Sequence, residues 1–248
     1  MKTLTLNQTK QWLKTSQHPF AVLTFSVLKK GLSFELPAPK FIWRPVYALY
    51  KLVSTTFTTL TRILVWTPLL KGRLQAVGHN LNLYGGLPYI SGPLQLILGN
   101  DCRVSGQSTF TGRSCAKNPP VLTLGNNIDI GWMTTIAVGN RVDIGDNVRI
   151  AGRALLAGYP GHPLDPQARA LGLPETDSQV GDIILENDVW LATGVSVMAG
   201  VRIGRGTIVA AGSVVTQDLP AMVLAAGIPA KVIRTLTETD TTTRNEDK

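Results

Sequence analysis

The sequence predicts an all-β solenoid preceded by an N-terminal, partly helical extension. Three observations carry this. From Leu185 to Val215 every sixth residue is aliphatic: Leu185, Leu191, Val197, Ile203, Val209 and Val215. Four places after each of the first five stand Val189, Val195, Val201, Thr207 and Ser213, all small or β-branched. And six is the period of neither a helix nor a strand. A fixed short repeat marks a chain whose units bury their apolar side only by stacking on their neighbours. The unit here is a short flat strand plus a turn. Three units make one triangular coil, and coils stack about 4.7–4.9 Å apart through ladder hydrogen bonds.

The same spacing recurs upstream. Val77 to Tyr89 reads as the entry into the stack, and the first clear coil is Leu98, Val104 and Phe110. Pro119-Pro120 interrupts it, Leu124, Ile130 and Ile136 resume it, and Ile144, Ile150 and Leu156 follow after a two-residue slip. From Ala157 to Ile184 the repeat fails. That stretch holds Gly158, Tyr159, Pro160, Gly161, His162, Pro163, Asp165 and Pro166. A loop this long inside a tight repeat is usually functional. Pro220 and Pro229 break the pattern again, and the polar residues 235–248 read as a disordered tail. The expected organisation is an extension over 1–75, a solenoid over 76–234 with its loop at 157–184, and the tail at 235–248.

Charge separates the extension from the rest. Residues 1–75 hold 11 Lys/Arg and a single acid, Glu35, whereas the remainder is slightly acidic. A basic, apolar segment points to peripheral contact with a membrane surface, and no nucleic-acid module accompanies it. Phe20 to Leu28 is apolar but too short to span a bilayer, and no cleavage site for a signal peptide follows it. Pro45 to Trp66 is expected to be a helix, with Pro45 at its first position and Val46, Leu49, Tyr50, Val53, Phe57, Leu60 and Leu64 on one face. Lys51 and Arg62 argue against a spanning helix, and Trp43, Trp66 and the basic flanks suit a headgroup region. Cys102 and Cys115 form no disulfide framework or zinc pattern, so a reducing cytoplasm is expected, including the inner face of its membrane. Cys102 falls on a small inward position and His79 reads as structural.

The run NDVWLATGVSVMAGVRIGRGTIVAAGSVVTQDLPAMVLAAGIPAKVIR, together with Gly161-His162-Pro163 upstream, resembles the hexapeptide-repeat acetyltransferases. The branch is the one that acetylates galactosides, maltose, antibiotics and bacterial polysaccharides. The resemblance covers roughly Leu96 to Arg234 and leaves the first 75 residues uncovered. It implies a left-handed parallel β-helix, a homotrimer, and acetyl-CoA as co-substrate with no permanently bound cofactor and no metal. It also implies direct attack by a sugar hydroxyl without an acyl-enzyme.

By position, the resemblance makes His162 the general base, a task suited to a side chain whose ordinary pKa is about 6.5. Asp165 or a backbone carbonyl would orient its other nitrogen. The donor channel would be lined by Thr193, Ala211 and Thr216, with Trp190 beside its active-site end. Lys231 and Arg234 would meet the CoA phosphates. Two departures stand out: Gly131, next to Trp132, occupies the place of an Asn that helps hold acceptor and oxyanion, and Ala192 replaces a Gly. Trp132 and Asp165 therefore mark an acceptor region unlike that of simple galactosides.

The expected acceptor is a cell-surface polysaccharide or its lipid-linked precursor. Competing readings are acetylation of a soluble sugar, nucleotide sugar or antibiotic, and a non-catalytic scaffold, against which the intact His162 loop argues. A zinc carbonic anhydrase would need closely spaced histidines, and His18, His79 and His162 are scattered.

Overall fold

In the computed structural model, which describes residues 5–237, the six-residue period becomes three parallel sheets that the chain visits in rotation. Sheet 1 is built from Ala76–Val77, Gln95–Leu98, Val121–Leu124, Arg141–Ile144, Ile183–Leu185 and Arg202–Ile203. Sheet 2 contains Asn82–Tyr84, Arg103–Ser105, Asp129–Ile130, Arg149–Ile150, Trp190–Leu191, Ile208–Val209 and Val223–Gly227. Sheet 3 contains Tyr89–Ser91, Thr109–Gly112, Thr135–Val138, Leu155–Ala157, Ser196–Met198 and Val214–Val215. Register is one residue deep and strict: Ile130 pairs with Ile150 and Ile150 with Leu191, so like positions lie over like. Every aliphatic residue of the repeat, from Leu98 and Val104 to Val209 and Val215, is buried in one continuous core. The stack starts one coil earlier than the clear repeat, because Ala76–Val77, Asn82–Tyr84 and Tyr89–Ser91 already pair with the coil above.

The corners are built from short polar residues. At the corner from sheet 1 to sheet 2, Asn80, Asp101, Asn127, Asn147 and Asp188 all take positive φ between 55° and 64°. Asn and Asp tolerate that region better than other side chains. Their side chains also form a ladder: Asn127 Nδ2 donates to Asn147 Oδ1 and Asn147 Nδ2 to Asp188 Oδ1, each at 2.9 Å. After Gly227 the chain turns back, and Ala230–Thr235 pairs antiparallel with Val223–Gly227. Leu236 is buried beyond it. The remainder of the expected tail, 238–248, lies outside the described residues.

The chain divides into two compact units, Met1–Thr55 and Thr56–Lys248. In the first, α1 (Leu6–Thr15) starts with a capping box in which Thr5 and Gln8 exchange side-chain and backbone hydrogen bonds. Helix α2 (Pro19–Leu32) is capped by His18, whose Nδ1 accepts from the Phe20 amide at 3.2 Å. Helix α3 (Lys40–Thr61) corrects the expected bounds: it begins at Lys40, not Pro45, and Pro45 lies inside it. The Pro39 carbonyl accepts from Ile42 and Trp43, which starts the helix upstream of Pro45. A π-helical turn, Arg62–Trp66, and α4 (Thr67–Arg73) continue the helical run within the second unit. There Leu70 is buried in the core and Arg73 donates to the Leu94 carbonyl at 2.9 Å.

Candidate active site

All long departures from the stack leave at the corner from sheet 3 to sheet 1. The largest is closed at its base by a backbone bond from the Gly181 amide to the Gly158 carbonyl, 3.0 Å. Within it, Asp165 caps the short helix α5 (Pro166–Ala170), accepting from the amides of Gln167 and Ala168. Thr176 and Gln179 form a second capping box around a 3₁₀ turn, Asp177–Gln179. Gln179 Nε2 then donates to the His162 carbonyl at 3.1 Å. Tyr159 ties the outgoing arm to the stack through its hydroxyl and Thr111 Oγ1, 3.1 Å.

His162 is exposed and lines a cleft of about 640 Å³ with Ser91, Ser114, Cys115, Tyr159 and Glu175. Neither ring nitrogen makes a hydrogen bond to another described residue. Asp165 is not brought to the imidazole as a partner; its carboxylate is committed to the α5 amides.

The other sequence-predicted residues lie elsewhere on the stack. Trp132, Thr193 and Ala211 share the corner from sheet 2 to sheet 3, linked by backbone bonds from Arg153 to Trp132, Gly194 to Gly152 and Gly212 to Thr193. Thr193 and Ala211 are exposed, as is Thr216, which follows the last strand of sheet 3 and so sits at the His162 corner. Trp190 stands on the outer face of sheet 2, in register with Ile208, which pairs with Leu224, itself opposite Arg234. Trp190 and Arg234 line one hollow of about 540 Å³ together with Asp188, Arg205, Met222 and Leu236. Lys231 is exposed on the same returning strand. One chain thus gathers Trp190 with Arg234, and Thr193 with Ala211, but His162 shares a cleft with none of them.

A residue that the repeat gave no reason to single out is Arg113. Its side chain is buried, and Nε lies 2.5 Å from Glu175 Oε1 while Nη1 lies 2.7 Å from Asp177 Oδ1. The hydrogen bond with Asp177 raises the guanidinium pKa further, burial opposes the rise, and Glu175 adds to it. The same bond holds the Asp177 carboxyl below the ordinary carboxylate range. Among the described residues no group of three or more His, Cys, Asp or Glu could hold a metal ion.

Stacked six-residue coils with a histidine-bearing excursion at one corner define a solenoid of the hexapeptide-repeat type. Residues 182–217 match the family described as bacterial transferase hexapeptide (six repeats). The galactoside O-acetyltransferase of Escherichia coli is 37% identical over 136 residues, covering 52% of this chain and 64% of that protein. The galactoside O-acetyltransferase of Lactococcus lactis is 37% identical over 115 residues, covering 46% of this chain and 50% of that protein. The chain therefore spans less than two-thirds of the length of these relatives. Among solved structures, AntD, an N-acyltransferase from Bacillus cereus in complex with dTDP and 3-hydroxybutyryl-CoA, aligns with a TM-score of 0.55 at 18% identity. That alignment covers 71% of this chain and 90% of AntD, a likeness of fold. The chain carries hexapeptide-transferase repeats and is similar in sequence to O-acetyltransferases.

Proposed function

We propose that this protein is an acetyl-CoA-dependent O-acetyltransferase on a left-handed parallel β-helix. Its acceptor is a sugar hydroxyl of a cell-surface polysaccharide or of its lipid-linked precursor. The observation that carries the reading is the placement of His162: the one histidine of the long excursion lines a cleft whose walls bear Ser91, Ser114 and Tyr159, groups that can hydrogen-bond a polyol. The similarity to galactoside O-acetyltransferases supports it.

In this reading the acceptor hydroxyl donates its proton to the His162 imidazole as its oxygen attacks the thioester carbonyl. The tetrahedral oxyanion collapses, the carbon–sulfur bond breaks, and the imidazolium returns the proton to the CoA sulfur. The products are the O-acetyl ester and free CoA. Thr193, Ala211 and Thr216 leave room for the pantetheine arm along the stack, and Trp190 bounds it. Lys231 and Arg234 meet the phosphates, which charge favours. Trp132 flanks the acceptor, and Asp165 acts on it only by shaping the loop.

His162 and the Thr193–Ala211 edge occupy different corners of one chain. That separation favours a homotrimer in which a neighbouring copy brings the donor edge to each His162. Among the described residues no helix is long and apolar enough to cross a membrane. Yet Phe20, Leu23, Val27, Phe41, Leu52 and Phe57 are exposed in a segment of strong positive charge. This supports docking of the extension at the inner face of the cytoplasmic membrane, where a lipid-linked acceptor would lie.

The test is acetyl transfer to a panel of sugar and lipid-linked acceptors, or slow acetyl-CoA hydrolysis without one, beside CoA binding by calorimetry. His162→Ala is expected to lower turnover by roughly 10²–10⁴-fold with donor affinity unchanged. Turnover near that of the unmodified protein would remove His162 from the chemistry.

A further inference from the structure

Two interruptions of the repeat, Arg113–Pro120 and Gly158–Asp182, leave the stack at the same corner, and one side chain joins them. Arg113 begins the first. Its amide donates to the Val138 carbonyl at 3.0 Å, so its main chain belongs to the ladder. Its guanidinium bonds only to the second excursion: Nε to Glu175 Oε1 at 2.5 Å, Nη1 to Asp177 Oδ1 at 2.7 Å and Nη2 to the Glu175 carbonyl at 3.2 Å. Arg113 and Glu175 are both buried, at 3% and 6% exposure. A buried planar guanidinium that donates to the Glu175 carboxylate, the Glu175 carbonyl and the Asp177 carboxylate fixes the placement of all three.

Apolar packing does little to hold this excursion. Leu164, Leu171 and Leu173 are exposed, and Pro163 is the one apolar residue buried between 161 and 179. Polar links do the holding instead. From the segment fixed by Arg113, the Thr176 amide donates to Gln179 Oε1 at 3.1 Å, and Gln179 Nε2 donates to the His162 carbonyl at 3.1 Å. The path from ladder to imidazole-bearing main chain is Arg113, Glu175–Asp177, Gln179, His162.

We infer that Arg113 is a positioning residue for His162: it fixes residues 175–177 against the stack and, through Gln179, sets where the imidazole stands over the cleft. The inference rests on the reading of His162 as the base. A displacement of about 1 Å in a reacting group costs on the order of 10²-fold in rate, so a loop held mainly by polar links needs such a clamp.

The test uses Arg113→Met, Arg113→Lys, Gln179→Ala and the double variant Arg113→Met with His162→Ala in the full chain. Four readouts are taken: turnover, the Michaelis constant for acetyl-CoA, the thermal midpoint, and the rate of tryptic cleavage after Arg169. Arg113→Met is expected to lower turnover roughly 10–100-fold with the donor Michaelis constant within about two-fold, and to speed cleavage after Arg169 about ten-fold or more. Arg113→Lys should fall between. Gln179→Ala should lower turnover with an unchanged midpoint, and it carries the test if Arg113→Met does not fold. The double variant should be no slower than His162→Ala alone, because Arg113 acts through His162. Multiplicative losses in the double variant, or full turnover in Arg113→Met with a freely cleaved loop, would overturn the inference. If His162→Ala itself keeps full turnover, the base reading fails, while cleavage after Arg169 still reports separately whether Arg113 holds the loop.

Discussion

Gly158 and Gly181 meet across the excursion that carries His162, joined by a backbone hydrogen bond of 3.0 Å. Neither can take a side chain without moving main chain. A Cβ on Gly181 would lie 2.3 Å from the Gly200 amide nitrogen, and one on Gly158 would lie 2.8 Å from the Ala137 carbonyl oxygen. The loop leaves and rejoins the stack through a gap too narrow for any other residue. Gly181→Ala is therefore expected to destabilise the protein by about 1–3 kcal/mol, the usual cost of overpacking. Thermal unfolding checks it, with Gly72→Ala as the control: that helical position has open space around it, and Ala should be neutral or better there.

If neighbouring copies complete each site, two inactive variants can repair one another. His162→Ala and Ala211→Trp, a large side chain on the donor edge, are each expected to be inactive alone. Mixed trimers should recover about one third of full turnover, because a closed ring holding both variants has both groups intact at one of its three sites. Co-expression with two affinity tags measures this. Mixed trimers no more active than either parent would place the whole site in one chain.

Lys231 and Arg234 stand on the returning strand beside the Trp190 hollow, remote from the His162 cleft. Replacing both by Ala should raise the Michaelis constant for acetyl-CoA and leave turnover nearly unchanged, the pattern of a lost uniform-binding contact. Desulfo-CoA binding by calorimetry should weaken in parallel. A collapse of turnover at unchanged donor affinity would move these residues out of the phosphate role.

Contact between the extension and an anionic bilayer should be partly electrostatic. Sedimentation with phosphatidylglycerol vesicles is expected to bring down the protein at low salt and to release it as ionic strength rises toward about 0.5 M, where screening shortens the reach of charge. Lys29→Glu with Lys30→Glu should weaken the capture. A protein that ignores these vesicles at low salt would favour a soluble acceptor.

The stack was legible because its inward positions carry nothing but chemistry that water rejects. Leu185 through Val215 state the period openly, and each is buried. The first coil was harder to read: Leu81 and Leu83 point inward, but Gly85, Gly86 and Pro88 break the spacing that would have announced it. The start of α3 is hidden because Pro45 suits a first helical position, whereas the Pro39 carbonyl, accepting from Ile42 and Trp43, begins the helix upstream. His162 stands out in the sequence by its Gly-His-Pro setting. Arg113 does not, since a buried arginine spells itself like a surface one, and its partners stand more than sixty residues away. The ion pair is a long-range fact with no local periodicity to betray it.

The turn back of Ala230–Thr235 closes the open edge of sheet 2. A stack of parallel strands is, at its last coil, a template offering unpaired amides and carbonyls to any strand of the same pitch, and so a seed for end-to-end growth. On sheet 2 the strand that follows Val223–Gly227 runs the opposite way and occupies that template itself. A strand arriving in the parallel sense of the coils finds its place already taken. The antiparallel strand works as a terminator for sheet 2.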